Sequence, residues 1–221
     1  VVAYRHVIKP EVSDVSVRGS VSKIWGHRPS YYYLEGVQTA FSESGGSPFI
    51  SSVQADFKQK FKAGILTAGA KLTYRSNDIY HQFYEGGEYS DAFSNDLLHT
   101  ELIPAAYVLF SSKIGKKFTY KAGLRGEFST VTLTSSHEGL DVRNNDFFVS
   151  PSLSGTLRLA ENQELSLAFS RRVGRPAYPQ LNPYMSMVDA TTYEQGNMHL
   201  SPEKSSKLDF SYNFRSSKVQ I

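Results

Sequence analysis

Three arginines lie close together where an alternating segment gives way to a proline-rich one. They are Arg171, Arg172 and Arg175. The guanidinium group is a planar fork of hydrogen-bond donors, which suits it to carboxylates and phosphates. The arginines could therefore bind an anionic ligand, or they could anchor the strand end and pair with Glu203 to hold the following segment closed. Because prolines restrict the backbone there, we favour the structural role.

A second group of candidates lies between Ser76 and Glu101, a stretch predicted to be a long loop. It combines carboxylates with aromatic rings, among them Tyr84, Tyr89 and Asp91. Rings stack on sugars or on other ligand rings, and carboxylates accept hydroxyl groups or bind cations. The carboxylate spacing matches no calcium-binding loop. A solvated loop with packed rings is therefore the favoured interpretation, and ligand contact is the alternative.

The sequence shows no catalytic constellation, and we predict that the chain is not an enzyme. It lacks a Gly-x-Ser-x-Gly elbow, a His-Glu-x-x-His pair and a phosphate-binding loop. A minor alternative is a hydrolase site inside a β-barrel, because such sites are recognised by their geometry and not by sequence spacing. Cysteine is absent, which excludes disulfides, thiol catalysis and Cys-ligated zinc. No cofactor is expected.

Most of the histidines fall in predicted loops, but no two have the close spacing of a metal-binding pair. A metal site is therefore not expected. The histidines in predicted loops are His27, His81, His99, His137 and His199.

These candidates are positioned by segments in which apolar and polar residues alternate, as in strands with one apolar face. Clear examples run from Phe118 to Phe128 and from Leu208 to Phe214. About nine such strands are predicted in a meander, and their connections alternate between short and long. Transmembrane barrels place short turns on the periplasmic side and long loops outside, whereas a soluble sandwich has no reason to do so. The sequence therefore predicts an all-β fold, an antiparallel up-and-down meander forming part of a transmembrane β-barrel.

The composition agrees with this fold class. No apolar run approaches the ~20 residues that a membrane helix requires, and aromatic residues make up 13% of the chain. Aromatic residues are typical of strands and of the rings that flank a barrel's lipid layer. The net charge of +3 is too small and too scattered to indicate nucleic-acid binding.

Some segments do not follow the alternation. Residues 25–49 have turn chemistry at both ends and are predicted as a loop, within which Tyr31 to Leu34 could form a short strand. Residues 102–111 are apolar on both faces and residues 1–8 have mixed faces, so neither register is assigned. At Val131 and Leu133 the apolar phase flips, which indicates either a bulge or emergence from the apolar layer.

Tight turns are predicted near the end of the proline-rich segment, at Gly196, Asn197 and Pro202. Glycine takes a positive φ at little cost, asparagine tolerates it, and proline presets φ for the approach to the next strand. Arg172 and Arg175 are expected to tie this segment to its own carbonyl groups or to Glu203.

The same segment carries a resemblance to a known family. Its most specific part is Gly-Asn-x-x-Leu-x-Pro-Glu, from Gly196 to Glu203, directly before an alternating strand. The chain resembles the C-terminal barrel of TonB-dependent (TonB-linked) outer-membrane receptors, within the outer-membrane protein β-barrel family. The other motif residues are Arg171, Arg172, Arg175, Pro176, Tyr178, Leu181, Asn182, Pro183 and Tyr193, with further similarity at residues 105–108 and 123–127.

The resemblance implies a protein of the Gram-negative cell outer membrane, in contact with outer-membrane lipid. Such receptors have 22-stranded barrels around an N-terminal plug. Residues 1–221 would then be a barrel portion of a larger receptor, with an upstream plug domain contacting the TonB system. The long extracellular loops would capture a small-molecule, glycan or peptide ligand. The residues expected to contact it are Tyr84, Tyr89, Asp91, Arg172, Arg175, Tyr178, Tyr184 and Tyr193.

Two other functions stay open at this point. The barrel could be structural or adhesive and transport nothing, or the chain could be a soluble all-β binding module. A plug domain encoded upstream would favour transport.

Overall fold

A computed structural model describes residues 1–135, 141–189 and 192–215, and nearly all of them lie in antiparallel strands. Within these residues, no helix is long and apolar enough to cross a membrane. The elements are β1 (Val2–Lys9), β2 (Ser13–Lys23), β3 (Gly26–Leu34), β4 (Val37–Gly46), β5 (Phe49–Phe61), β6 (Gly64–Glu85), β7 (Glu88–Tyr89), β8 (Asn95–Ile114), β9 (Phe118–Ser135), β10 (Val142–Ala160), β11 (Gln163–Gly174), α1 (Tyr178–Leu181), β12 (Ser186–Met187), β13 (Tyr193–Glu194) and β14 (Glu203–Phe214).

Nine strands follow one another across a single sheet, in the order β1-β2-β5-β6-β8-β9-β10-β11-β14. Every neighbouring pair is antiparallel. Short turns join β1 to β2, β5 to β6, β8 to β9 and β10 to β11, and the longer connections lie at the opposite end. The predicted meander and its segregation of short and long connections are confirmed.

The sheet has one apolar and one polar face. Directly opposite positions such as Val108 and Leu124 share the apolar face and are exposed. The polar face carries hydrogen-bonded side chains, such as Thr156 with Ser166 at 3.1 Å. Because successive side chains of a strand alternate between faces, this division extends along the whole sheet. Further exposed residues of the apolar face are Val17, Val53, Leu72, Leu153, Leu167 and Phe210.

Two predicted loops are largely strand. β6 continues to Glu85 and β8 begins at Asn95, so the expected loop between Ser76 and Glu101 is confined to a short turn, β7 and residues 90–94. Transmembrane strands need about 9–11 residues to cross the lipid. The 22 residues of β6 therefore extend well beyond it, into a region where no lipid imposes the apolar alternation.

The segment expected as a loop from residue 25 to residue 49 is a hairpin of β3 and β4. Its two-residue turn is Glu35-Gly36, with φ values of 49° and 82°. Positive φ at both turn positions is the type I′ geometry whose twist suits a hairpin. Glu-Gly is a weaker signal for this turn than Asn-Gly, and the expected Tyr31–Leu34 strand is therefore only part of the true element.

The unassigned and irregular positions now have a register. In β8, Val108 is on the apolar face and Tyr107 on the polar face, where its hydroxyl donates to the Asp56 carboxylate. β9 pairs with β10 without a shift through Val131 and Leu133. The change of apolar phase in β9 is therefore emergence from the lipid layer and not a bulge.

Candidate functional site

The described part of the connection between β11 and β14 folds onto the polar face of the sheet. We call its residues, 175–189 and 192–202, the inner segment. Leu181 and Met198 from this segment are buried against Leu97 of β8 and Leu133 of β9. The side-chain amide of Asn144 donates to the Met198 carbonyl at 3.1 Å. The polar face therefore carries apolar residues near the end of the sheet with the long connections, and these residues are the docking surface for the inner segment. This explains why the apolar positions of β9 change from one face to the other.

Gly196 fixes the two halves of the inner segment to each other. Its N–H donates to the Asn182 carbonyl at 2.7 Å, and the N–H of Asn197 donates to the Gln180 carbonyl at 2.7 Å. A Cβ at Gly196 would lie 2.6 Å from the carbonyl oxygens of Pro179 and Gln180. Neither Gly196 nor Asn197 has a positive φ. The predicted reason for glycine was wrong, because close backbone approach requires it here.

Arg175 is the centre of a chain of alternating charges that ties the inner segment to the sheet. Its Nε lies 2.6 Å from Oε1 of Glu101, and its Nη2 contacts Glu127. Glu101 also pairs with Arg75 at 3.1 Å, and Glu127 with Arg125 at 2.7 Å. The Glu101 side chain is only 3% exposed. A buried charge is tolerated when it is paired, and each carboxylate here has two arginines.

The expected pairing of Arg175 with Glu203 is therefore wrong, because Arg175 crosses to β8 and β9. Glu203 lies opposite Gly174 in the β11–β14 ladder. Arg172 lies opposite Ser205 and is exposed. The structural role favoured for the arginines applies to Arg175.

The charge chain continues along the polar face toward the short-turn end. The Arg125 guanidinium lies 5.7 Å from the centre of the Tyr107 ring. The Gln54 side chain donates to the Tyr107 hydroxyl at 2.8 Å and to Asp56 at 2.9 Å. Arginine, carboxylate, amide and phenol groups thus form one polar stripe that spans four strands.

A cavity of about 220 Å³ lies between the inner segment and the polar face, and we call it the vestibule cavity. Charges of both signs line it together with neutral donors and acceptors. Such a surface suits an uncharged or zwitterionic polar group better than a bare anion. Its lining includes Arg75, His99, Glu101, Asp146, Arg175 and Tyr178.

Tyr178 lines this cavity and has an unused hydroxyl. The atom is buried and has no hydrogen-bond partner among the described residues. Burial, with a smaller contribution from Tyr184, raises the pKa of Tyr178 to about 12. The phenol therefore stays neutral and can both donate and accept a hydrogen bond.

The remaining candidates divide between the two sides of the sheet. On the inner side, the Tyr184 hydroxyl hydrogen-bonds Ser135, and Tyr193 stacks on Phe93 at 5.9 Å. Tyr84 and Tyr89 pair directly with each other, 5.6 Å between ring centres, on the same face as the lipid-facing residues of β6. The predicted set is thus not one site.

Two other expectations concern single residues. Asp91 is exposed in the turn after β7. His137 lies outside the described residues, and His27, His81 and His99 lie in strands and not in loops. Among the described residues, no group of three or more histidine, aspartate or glutamate side chains could hold a metal ion.

Sequence reasoning did not identify Glu101 and Glu127 as partners of Arg175. Arg125 and Glu127 are two residues apart, so they share one face of β9, and this spacing was an available signal of a charged lumen wall. Glu101 carried no such signal, because the region around it was expected to be a loop.

Comparison with known proteins agrees with this architecture. Residues 17–221 match the Outer membrane protein beta-barrel family. No curated protein matches the chain. The copper transporter OprC superposes with a TM-score of 0.69 at 14% identity, covering 99% of this chain and 36% of that one. The ferric-catecholate import receptor Fiu from E. coli K12 gives 0.67 at 9% identity, covering 96% and 37%.

The ferric citrate transporter FecA gives a TM-score of 0.65 at 13% identity, covering 96% of this chain and 31% of that one. These identities show a shared fold, and the chain spans about a third of the length of these structures. The resemblance to the barrel of TonB-dependent receptors is confirmed. Because the family match covers nearly the whole chain, the protein belongs to the Outer membrane protein beta-barrel family, and its sheet is a portion of barrel wall in the cell outer membrane.

Proposed function

We propose that the chain is part of a TonB-dependent transport receptor and that its inner segment contacts the ligand on the way through the barrel. The observation that carries this proposal is the docking of the inner segment onto the polar face through Arg175. A structural barrel needs an apolar outside, but it does not need a charged inner wall with a segment folded against it. The role is one of binding and passage, without catalysis.

The vestibule cavity supports contact with a polar part of a ligand. At about 220 Å³ it is smaller than the ~300–1,000 Å³ typical of whole-ligand pockets. It would therefore hold one ring or one end group, with Tyr178 as the hydrogen-bonding partner. The solved relatives carry copper, ferric citrate or ferric catecholate by name, so metal chelates are the first compounds to test.

The test uses cells with and without the gene that encodes this chain. Uptake is measured for radiolabelled ferric citrate, a ferric catecholate, copper, cobalamin, an oligosaccharide and a peptide. We expect uptake of at least one probe to require both the gene and a functional TonB. If no probe depends on the gene while cell adhesion or envelope integrity does, the structural or adhesive alternative is correct.

The role of the inner segment is tested separately by Arg175→Ala, which should reduce uptake of the identified probe several-fold. Arg5→Ala is the matched control, because Arg5 also pairs with a carboxylate, Asp14 at 2.8 Å, but near a short turn and far from the cavity. Equal uptake by both variants would exclude the inner segment from the transport path.

A further inference from the structure

An aromatic surface lies on the outside of the barrel wall, above the lipid layer. It comprises Tyr31, Phe41, Tyr84 and Tyr89, and we call it the aromatic platform. Successive ring centres are 5.2, 5.9 and 5.6 Å apart. Tyr31 and Tyr89 are 55% and 54% exposed. Four contacting rings form a continuous surface with one side open to the surroundings.

The register places this platform on the lipid side of the sheet. Tyr84 and Tyr74 are both even-numbered residues of β6, which pairs with β8 without a shift through residues 65–81. They therefore share a face, and Tyr74 belongs to the apolar face with Leu72. The platform is a direct continuation of the membrane-facing surface and does not line the lumen.

The aromatic platform lies farther from the hydrocarbon than the ring of aromatic residues that marks the hydrocarbon's edge. Tyr74 and Phe49, whose rings lie 6.2 Å apart, are at that edge, since each is one membrane-crossing length from the short turn between β5 and β6. Tyr84 lies ten residues further along β6. With about 3.3 Å per residue and a tilt near 40°, this is roughly 25 Å beyond the hydrocarbon.

The chemistry beside the rings suits a sugar. A cleft of about 500 Å³ adjoins the platform and is lined by Gln38, Thr39 and Glu43. Three of the four rings, those of Tyr31, Phe41 and Tyr84, also line it. Amide, hydroxyl and carboxylate groups hydrogen-bond sugar hydroxyls, and aromatic faces cover the apolar face of a pyranose. The turn that borders the cleft, Gly86-Gly87, has φ values of 57° and 91° and adds no side chains.

We propose that the aromatic platform binds the saccharide headgroups of glycolipids in the outer leaflet. In a Gram-negative outer membrane these headgroups fill the layer above the hydrocarbon, and the register places the platform roughly 25 Å into that layer. A transported ligand would meet the other side of the wall. The platform thus extends the lipid contact of the barrel into the sugar layer.

The test uses the intact protein that contains residues 1–221, purified from outer membranes. It is placed in nanodiscs containing lipopolysaccharide with its full oligosaccharide, or lipopolysaccharide truncated to the lipid A anchor. We expect the free oligosaccharide, without acyl chains, to compete with the full lipopolysaccharide for binding to the protein. We also expect Tyr84→Ala with Tyr89→Ala to weaken its binding about tenfold, the loss of two ring contacts. Binding of the truncated form should not change.

Two further variants make the result specific. Tyr89→Phe keeps the ring and should keep the binding. Glu88→Ala alters the neighbouring position, which faces the other side of β7, and should have no effect. Heat-modifiable gel migration verifies that each barrel is folded. The proposal is wrong if the double variant binds oligosaccharide as the wild type does, or if it loses uptake of a transported ligand while glycolipid binding stays intact.

Discussion

At the scale of single residues, Tyr178 combines an apolar contact with an unused polar group. Its ring packs against the buried cluster of Leu97, Leu133, Leu181 and Met198. Its hydroxyl is buried without a hydrogen-bond partner in the described part of the chain. An unpaired buried polar atom costs about 1–3 kcal/mol. Stability alone therefore favours phenylalanine at this position.

We predict that Tyr178→Phe stabilises the docking of the inner segment by about 1 kcal/mol while reducing ligand uptake. The two readouts are protease cleavage within residues 177–201 on intact cells, which should fall, and uptake of the identified probe. A fall in both cleavage and uptake assigns the hydroxyl to the ligand. Unchanged uptake would show that the vestibule cavity does not use it.

Gly196 offers a second test, because the space for a side chain is absent. We predict that Gly196→Ala loosens the inner segment by about 1–3 kcal/mol, the usual cost of forcing extra atoms into a packed site. Cleavage within residues 177–201 should rise, and heat-modifiable migration should stay that of a folded barrel. Gly174→Ala is the matched control, since a Cβ there meets only Glu203 at 3.9 Å. If migration of the Gly196 variant collapses, the inner segment is part of the core fold.

At the scale of elements, β11 has one face toward the lipid and the other toward the lumen. Leu167 is 52% exposed on the apolar face, and the adjacent Ser166 hydrogen-bonds Thr156 on the polar face. In the membrane, this leucine and its neighbours on the apolar face bury their surface in acyl chains. The same strand therefore faces acyl chains on one side and the aqueous lumen on the other.

We predict that Leu167→Arg costs about 2–4 kcal/mol of folding free energy, as for arginine near the bilayer midplane. Ser166→Arg should cost much less, because its side chain enters the lumen. Folding of the intact protein into lipid vesicles measures both values. Equal costs would contradict the register of β11.

The sequence predicted the strands best where lipid imposed a period of two. Leu208 to Phe214 and Phe118 to Phe128 were recognised because every second residue faces acyl chains. The extension of β6 to Glu85 and the β3–β4 hairpin were missed because water surrounds those parts, so either face accepts polar residues. Arg175 was found by its motif, but its partners lie 74 and 48 positions away. No local pattern encodes such distant pairing.

At the scale of the whole molecule, the two outer strands of the sheet have one described neighbour each. β1 pairs with β2, and β14 pairs with β11. Every residue of β1 is exposed, as is nearly every residue of β14. Unpaired strand edges promote association with other strands.

We therefore predict that residues 1–221 expressed alone self-associate in detergent through these edges. The intact outer-membrane protein should instead be monodisperse in detergent and resist carbonate extraction. Size-exclusion chromatography with light scattering distinguishes the two. A monodisperse 221-residue monomer without detergent would argue against a membrane barrel portion.

The hairpin of β3 and β4 extends past the last residue of β6 that pairs with it, Glu85, and carries an exposed tip. Tyr33, Leu34 and Val37 are 60%, 58% and 66% exposed, while the inner segment is docked on the polar face of the sheet. An antibody or a bacteriophage arriving at the cell therefore meets this tip first. Immune and phage selection should act on residues 33–37 and spare residues 175–202. Escape mutants raised against surface-binding antibodies should carry their substitutions at the tip and keep full uptake.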